Sequence, residues 1–121
     1  MARRIDPLAG SAAVAEWSRA SAAPGAPVPR PILATAVRFT LQQLGDRAPG
    51  GSVEVRVPPF GAIQCIEGTS HRRGTPPAVV ETDADTWLSL ATGTVRWADA
   101  VASGRVLASG ERADLAQYLP L

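Results

Sequence analysis

The sequence predicts an α+β fold on a largely antiparallel sheet, and three patterns carry that expectation. Val53, Val55 and Val57 alternate with Glu54 and Arg56, the period of a strand with one buried face. Leu33, Val37, Leu41 and Leu44 recur at helical spacing, with Ala36 and Thr40 between them. The strand-like segments fall in one block, with helix-like segments before and after it. At 121 residues, 45% of them hydrophobic, the chain suits a single domain over 1–121 with a real core.

From the N-terminus, residues 6–22 read as a helix. Asp6 can cap it, and Pro7 at the first helical position loses no needed hydrogen bond. Its apolar side, Leu8, Ala12, Ala15 and Trp17, is weak, so Trp17 suits a dimer or partner contact. Residues 23–31 carry four prolines, which favour a stiff connector; the alternative reading is an SH3-type ligand. Residues 1–30 thus stand as an N-terminal helix and connector, and 31–121 as the core.

A stronger helix runs over 31–47, ended by Gly45 or by the Pro49-Gly50-Gly51 turn. Strands follow at 53–57 and, beyond the Pro58-Pro59 break, at 60–67. Residues 68–77 are a loop by composition, and 78–81 a third strand. Thr82-Asp83-Ala84-Asp85 fits a capping box before Trp87-Leu88-Ser89-Leu90. Gly93 is placed to end that helix, and Thr94 to cap another running to about Ser103, which Gly104 stops. Residues 105–109 read as a fourth strand and 113–119 as a terminal helix. No internal repeat is visible.

Charge excludes several partners. All twelve basic residues are arginine, offset by eleven carboxylates to a net charge of +1. That gives no field for nucleic acid or an anionic membrane, so no nucleic-acid partner is expected. The absence of Lys and Asn beside abundant Ala, Arg, Gly and Pro points to a GC-rich genome. One cysteine forms no internal disulfide, and one Cys with one His is too little for structural zinc, so neither metal nor cofactor is expected. No apolar run reaches membrane-span length, and Asp6 and Pro7 follow the early arginines where a leader would need an apolar stretch. A soluble cytoplasmic protein without stable membrane insertion is the expectation.

Candidates for chemistry are few, and each has a plainer reading. His71 sits beside Arg72 and Arg73, whose charge disfavours its protonation, and it reads first as a solvated loop residue. Paired with Glu67 or Glu81, it is the one acid–base arrangement worth testing. Cys65 inside a strand reads as a small buried apolar residue. Asp83 and Asp85 could join Glu67 and Glu81 in acid–base or cation work, but the first turn of a helix explains them better. Arg72-Arg73 and Arg3-Arg4 could hold phosphate, yet no aromatic platform is interleaved. The glycines fit neither phosphate-loop motif, and without lysine a Walker or Schiff-base site is excluded. No catalytic residue is assigned. What remains is apolar: Trp87, Leu90, Trp97, Val101, Leu115 and Leu119 crowd the last third. Composition alone favours core packing over cavity lining.

That last third resembles the sterol carrier protein-2 family. The carrying residues are Thr86-Trp87-Leu88-Ser89-Leu90-Ala91-Thr92-Gly93, then Ala98 and Ala100, then Ser103-Gly104-Arg105-Val106-Leu107-Ala108-Ser109-Gly110. The family shows there a helix ending in Thr/Ser-Gly, a later Gly-Lys/Arg-Leu/Val, a short strand, a Gly and a closing helix. Gly93, Gly104 and Gly110 match that spacing without a gap. The likeness is specific over about residues 78–121 and weaker over 31–77, and it is nearest to small stand-alone actinobacterial orthologues.

The resemblance implies an about five-stranded sheet with helices on one side, enclosing a tunnel for sterols, fatty acyl chains or acyl-CoA. It implies Trp87, Leu90, Trp97, Val101, Leu115 and Leu119 as lining, with Leu33, Val37 and Leu41 from the earlier helix, and no catalytic residues. Two departures matter. The tail Tyr118-Leu119-Pro120-Leu121 is not a peroxisomal address. Pro58-Pro59 and Pro76-Pro77 would interrupt strand pairing and narrow the tunnel. The leading expectation is a non-enzymatic carrier of a lipid or other apolar molecule. The alternative is a structural or interaction module with a filled cavity, acting as a homodimer or beside a partner enzyme.

Overall fold

The alternation at residues 53–57 forms a central strand in the computed structural model, which describes residues 4–23, 25, 27–68, 78–110 and 113–121. The sheet comprises β1 (Val53–Val57), β2 (Gly61–Cys65), β3 (Ala78–Thr82) and β4 (Val106–Ser109), in the order β2-β1-β3-β4. Around it stand α1 (Pro7–Ala22), α2 (Arg30–Arg47), α3 (Ala84–Thr92), α4 (Trp97–Ala102) and a 3-10 turn at Ala116–Tyr118. The expectation of an α+β fold holds. Two details differ: the described residues form four strands, not five, and the sheet is mixed.

The parallel pairing lies between β1 and β3, with Val53 opposite Ala78. It arises because β2 runs back to the start of β1, where Cys65 pairs with Val53. The chain then enters β3 on the other side of β1, in β1's own direction. Ser52 ties both neighbours at that end. Its N–H and hydroxyl donate to the Ile66 carbonyl (3.0 and 2.6 Å), and its carbonyl accepts from the Ala78 N–H at 3.0 Å. The β1–β2 and β3–β4 pairings are antiparallel, as expected. Pro58 and Pro59 interrupt nothing, because they occupy the hairpin turn, closed by the Phe60 N–H on the Val57 carbonyl at 2.9 Å. Pro76 and Pro77 lie outside the described residues.

The sheet has one apolar face. Val53, Val55, Val57, Cys65 and Val80 are buried on it, and Glu54, Arg56 and Gln64 point the other way with the exposed Leu107. α2 meets the apolar face with the predicted stripe: Ala36, Val37, Leu41 and Leu44 are buried and Leu33 is half-buried. Trp87 of α3 is fully buried against it, and its indole N–H donates to the Thr40 hydroxyl at 2.8 Å. Thr40 in turn donates into the α2 carbonyls of Ala36 and Val37, at 2.8 and 3.0 Å.

α1 begins as expected, with the Asp6 carboxylate accepting the Ala9 N–H at 3.1 Å and Pro7 at the first position. Its buried side is different. Gly10, Ala13 and Trp17 face inward, while Leu8 is 82% exposed and Ala12 and Ala15 are exposed. The reason is close packing on α2, where Gly10 lies flat against the Phe39 ring with no room for a Cβ. Trp17 is therefore not a free partner contact. It is 3% exposed, and its indole N–H donates to Asp85 of α3 at 2.9 Å. At the other end of α1, Arg4 pairs with Asp46 and holds that carboxyl below its usual range, chiefly by hydrogen bonding.

Three local expectations shift for identifiable reasons. Thr82 ends β3 and gives its hydroxyl to the Arg105 carbonyl at 2.8 Å, so Asp83 caps α3 instead, accepting from the Thr86 N–H at 2.8 Å. Thr94 caps nothing. Its N–H closes the Gly93 turn on the Ser89 carbonyl at 2.9 Å, and α4 starts only at Trp97. The terminal helix shrinks to one 3-10 turn, since Asp114 takes the Ala116 N–H at 2.8 Å into a local turn that competes with a helix. Among the described residues, no helix is long and apolar enough to cross a membrane.

Two substitutions test this packing. In an ordinary helix Gly→Ala stabilises by about 0.5–1 kcal/mol. Gly10→Ala should instead cost about 1–3 kcal/mol by overpacking against Phe39, seen as a lower urea midpoint with unchanged slope. Thr40→Val keeps the volume but strands the Trp87 indole N–H. It should cost about 1–3 kcal/mol, measured the same way.

Candidate functional site

A cleft forms where α3 ends, α4 begins and the C-terminal segment folds back. α3 stops because Gly93 adopts a left-handed conformation (φ 83°, ψ 9°), which glycine takes at no steric cost. The turn that follows brings Val95, Arg96, Trp97 and Ala98 round toward the last turn of α3. The C-terminal segment supplies the other wall. It is held by the Leu121 N–H on the Ala91 carbonyl (2.9 Å) and by Arg47 donating to the Pro120 carbonyl (3.0 Å). The space between is about 310 Å³, lined by Leu90, Gly93, Val95, Arg96, Trp97, Ala98, Ala116, Leu119 and Pro120. Leu90 is buried at its floor, Trp97 and Leu119 are half-buried, and Arg96 is exposed.

Three of the nine residues expected to line a tunnel meet in this cleft: Leu90, Trp97 and Leu119. The other six lie elsewhere. Trp87, Val37, Leu41 and Leu115 are at most 2% exposed and form the shared core. Leu33 is half-buried on α2 and packs against that core. Val101 is exposed on α4 and takes no part in the cleft. Sequence reasoning missed Gly93, Val95, Arg96, Ala98, Ala116 and Pro120 as lining. Most of these are small, and a wall made of backbone and small side chains leaves no hydrophobic period to detect.

The carboxylates considered for acid–base or cation work are placed by structure. Asp83 caps α3 and Asp85 holds Trp17. Glu81 lies on the polar face of the sheet, opposite Leu107, and Glu67 is exposed beyond β2. Among the described residues no three His, Cys, Asp or Glu side chains converge. His71, Arg72, Arg73 and Arg3 lie outside the described residues. Cys65 is fully buried, and burial pushes its thiol up to about 11, away from the reactive thiolate. Every buried polar side-chain atom among the described residues has a hydrogen-bond partner.

The cleft can therefore hold an apolar group by burial, beside one cation. Comparison with known proteins places this arrangement. None of the curated proteins compared with the chain matches it. A family model described as bacterial SCP ortholog matches residues 29–121. The matched stretch opens at the start of α2 and takes in the whole sheet, α3, α4 and the cleft, leaving α1 outside. With most of its length matched, and with the glycine spacing at 93, 104 and 110 inside the match, the chain belongs to the bacterial SCP ortholog family, a sterol carrier protein-like family.

Proposed function

We propose that the chain is a non-enzymatic binder or carrier of lipid-like apolar ligands, working in the cytoplasm of a high-GC bacterium. The classes implied by the resemblance are sterols, fatty acyl chains and acyl-CoA. The observation that carries this reading is the cleft of about 310 Å³ with Leu90, Trp97 and Leu119 in its lining, which falls inside the family-matched segment. Its size sits at the lower end of ligand sites. The driving force is burial of hydrocarbon, roughly 0.8 kcal/mol for each methylene, so a chain can bind without an extensive polar site. Exchange of cargo then needs only movement of the ligand past the C-terminal wall, with no covalent step.

A second reading has its own support. Trp87, Val37, Leu41 and Leu115 fill the space between sheet and helices with their own side chains. A fold so filled suits a structural or interaction module, joined to a second copy or to a partner enzyme.

A fluorescent fatty acid separates the two. For a carrier, it binds saturably and competably at micromolar protein. Ala98→Trp or Ala116→Trp, which fill the cleft from exposed positions, should then weaken it at least tenfold, and Val101→Ser, outside the cleft, should not. Absence of saturable binding to the unaltered chain favours the filled module.

A further inference from the structure

The cleft carries one feature that hydrocarbon alone does not call for. Of its described lining residues only Arg96 is charged, and no carboxylate side chain is among them. Apart from Arg19, exposed on α1 and away from the cleft lining, the other described arginines have partners within the chain, Arg30 over the Phe60 ring among them. Arg4 pairs with Asp46 and Arg56 with Glu54, while Arg38 and Arg47 bond the carbonyls of Phe60 and Pro120. Arg105 bonds the Thr86 hydroxyl at 3.3 Å. Arg96, exposed at the edge of the cleft, makes no hydrogen bond or ion pair with any described residue. Asp99, the acid nearest in sequence, forms no ion pair with it.

A planar guanidinium beside an apolar floor is complementary to a molecule with an anionic oxygen head and a hydrocarbon tail. The volume limits that tail. At about 310 Å³ the cleft lies at the lower end of ligand sites, so it suits a short tail better than a sterol skeleton. We propose that the cleft selects short-tailed anionic amphiphiles. The carboxylate or phosphate head sits on Arg96, and the tail lies against Leu90, Val95, Trp97 and Leu119. Arg96 is then the residue that sets specificity. This rests on the carrier reading and narrows it, since it favours short anionic ligands over sterols in this cleft.

The test is titration calorimetry of the full chain with octanoate, octyl phosphate, 1-octanol and vesicle-borne cholesterol. One or both anionic ligands should bind about fivefold or more tighter than octanol at low salt. The arm that does so names the head group. The preference should shrink at ~0.5 M salt, where surface charge is screened. Arg96→Gln should abolish it and Arg96→Lys should keep most of it, with unchanged circular dichroism for both, as the side chain is exposed. Equal binding of octanol and both anions, a preference that survives Arg96→Gln, or cholesterol binding tighter than either anion overturns this proposal and leaves the carrier reading standing. Silence from all four ligands overturns both.

Discussion

The arrangement of helices on this sheet depends on one constraint, the burial of the Trp87 indole with its N–H still in need of a partner. An unpaired indole N–H in the interior would cost a few kcal/mol, about what an entire small core can spare. Thr40 supplies the acceptor, and only because its own hydroxyl hydrogen is directed into the α2 carbonyls. That exchange fixes the rotation of α2 and sets α3 beside it at one height. Val37 and Leu41 then meet the sheet, and Leu90 arrives one turn beyond Trp87 at the edge of the core. The floor of the cleft is therefore positioned by a hydrogen bond in the interior.

The same height places Asp85 where α1 can use it. Trp17 reaches across to that carboxylate, and Gly10 lets α1 lie close against Phe39. α1 lies outside the family match, yet the two helices it contacts, α2 through Gly10 and α3 through Trp17, lie inside it. The added helix thus docks by specific geometry on a weakly apolar face. Its stability contribution comes from one close backbone approach and one buried indole, not from the area of its alanines.

How much of this was legible in the sequence divides along physical lines. Elements whose residues repeat with a period were readable: the Val53, Val55 and Val57 alternation, and the α2 stripe from Leu33 to Leu44. So was Gly93, because a left-handed helix end has one preferred residue. The bounds of α1 were readable from Asp6 and Pro7. Its buried face was not, because Gly10 and Ala13 have no hydrophobic signature and acquire their role only from Phe39, far along the chain. The parallel pairing of β3 was hidden for a related reason, since strand order depends on how the chain crosses the end of β1. At the cleft, Leu90, Trp97 and Leu119 were reached through the family resemblance, since composition alone favoured core packing for them. Ala98, Ala116 and Arg96 gain meaning only when the C-terminal segment folds back against α4.

That fold-back also shapes the cleft proposed above as a ligand site. Trp87, Leu115, Val37 and Leu41 are all buried in one core cluster. In the carrier reading proposed above, cargo uses a boundary, where two backbone segments meet at an angle that side chains do not fill. The α3–α4 corner is such a boundary, because Gly93 turns the chain sharply and the tail spans the gap, with the Leu121 N–H on the Ala91 carbonyl and the Arg47 side chain donating to the Pro120 carbonyl. A boundary site is partly wet, so it gains less from burial than an enclosed tunnel does. It gains something else: a charged rim is affordable there, since Arg96 keeps its hydration when the cleft is empty and need not be desolvated in full when it is occupied. In the proposal made above, selectivity by head-group charge follows from this position, because a ligand held at an edge can be read by an exposed guanidinium.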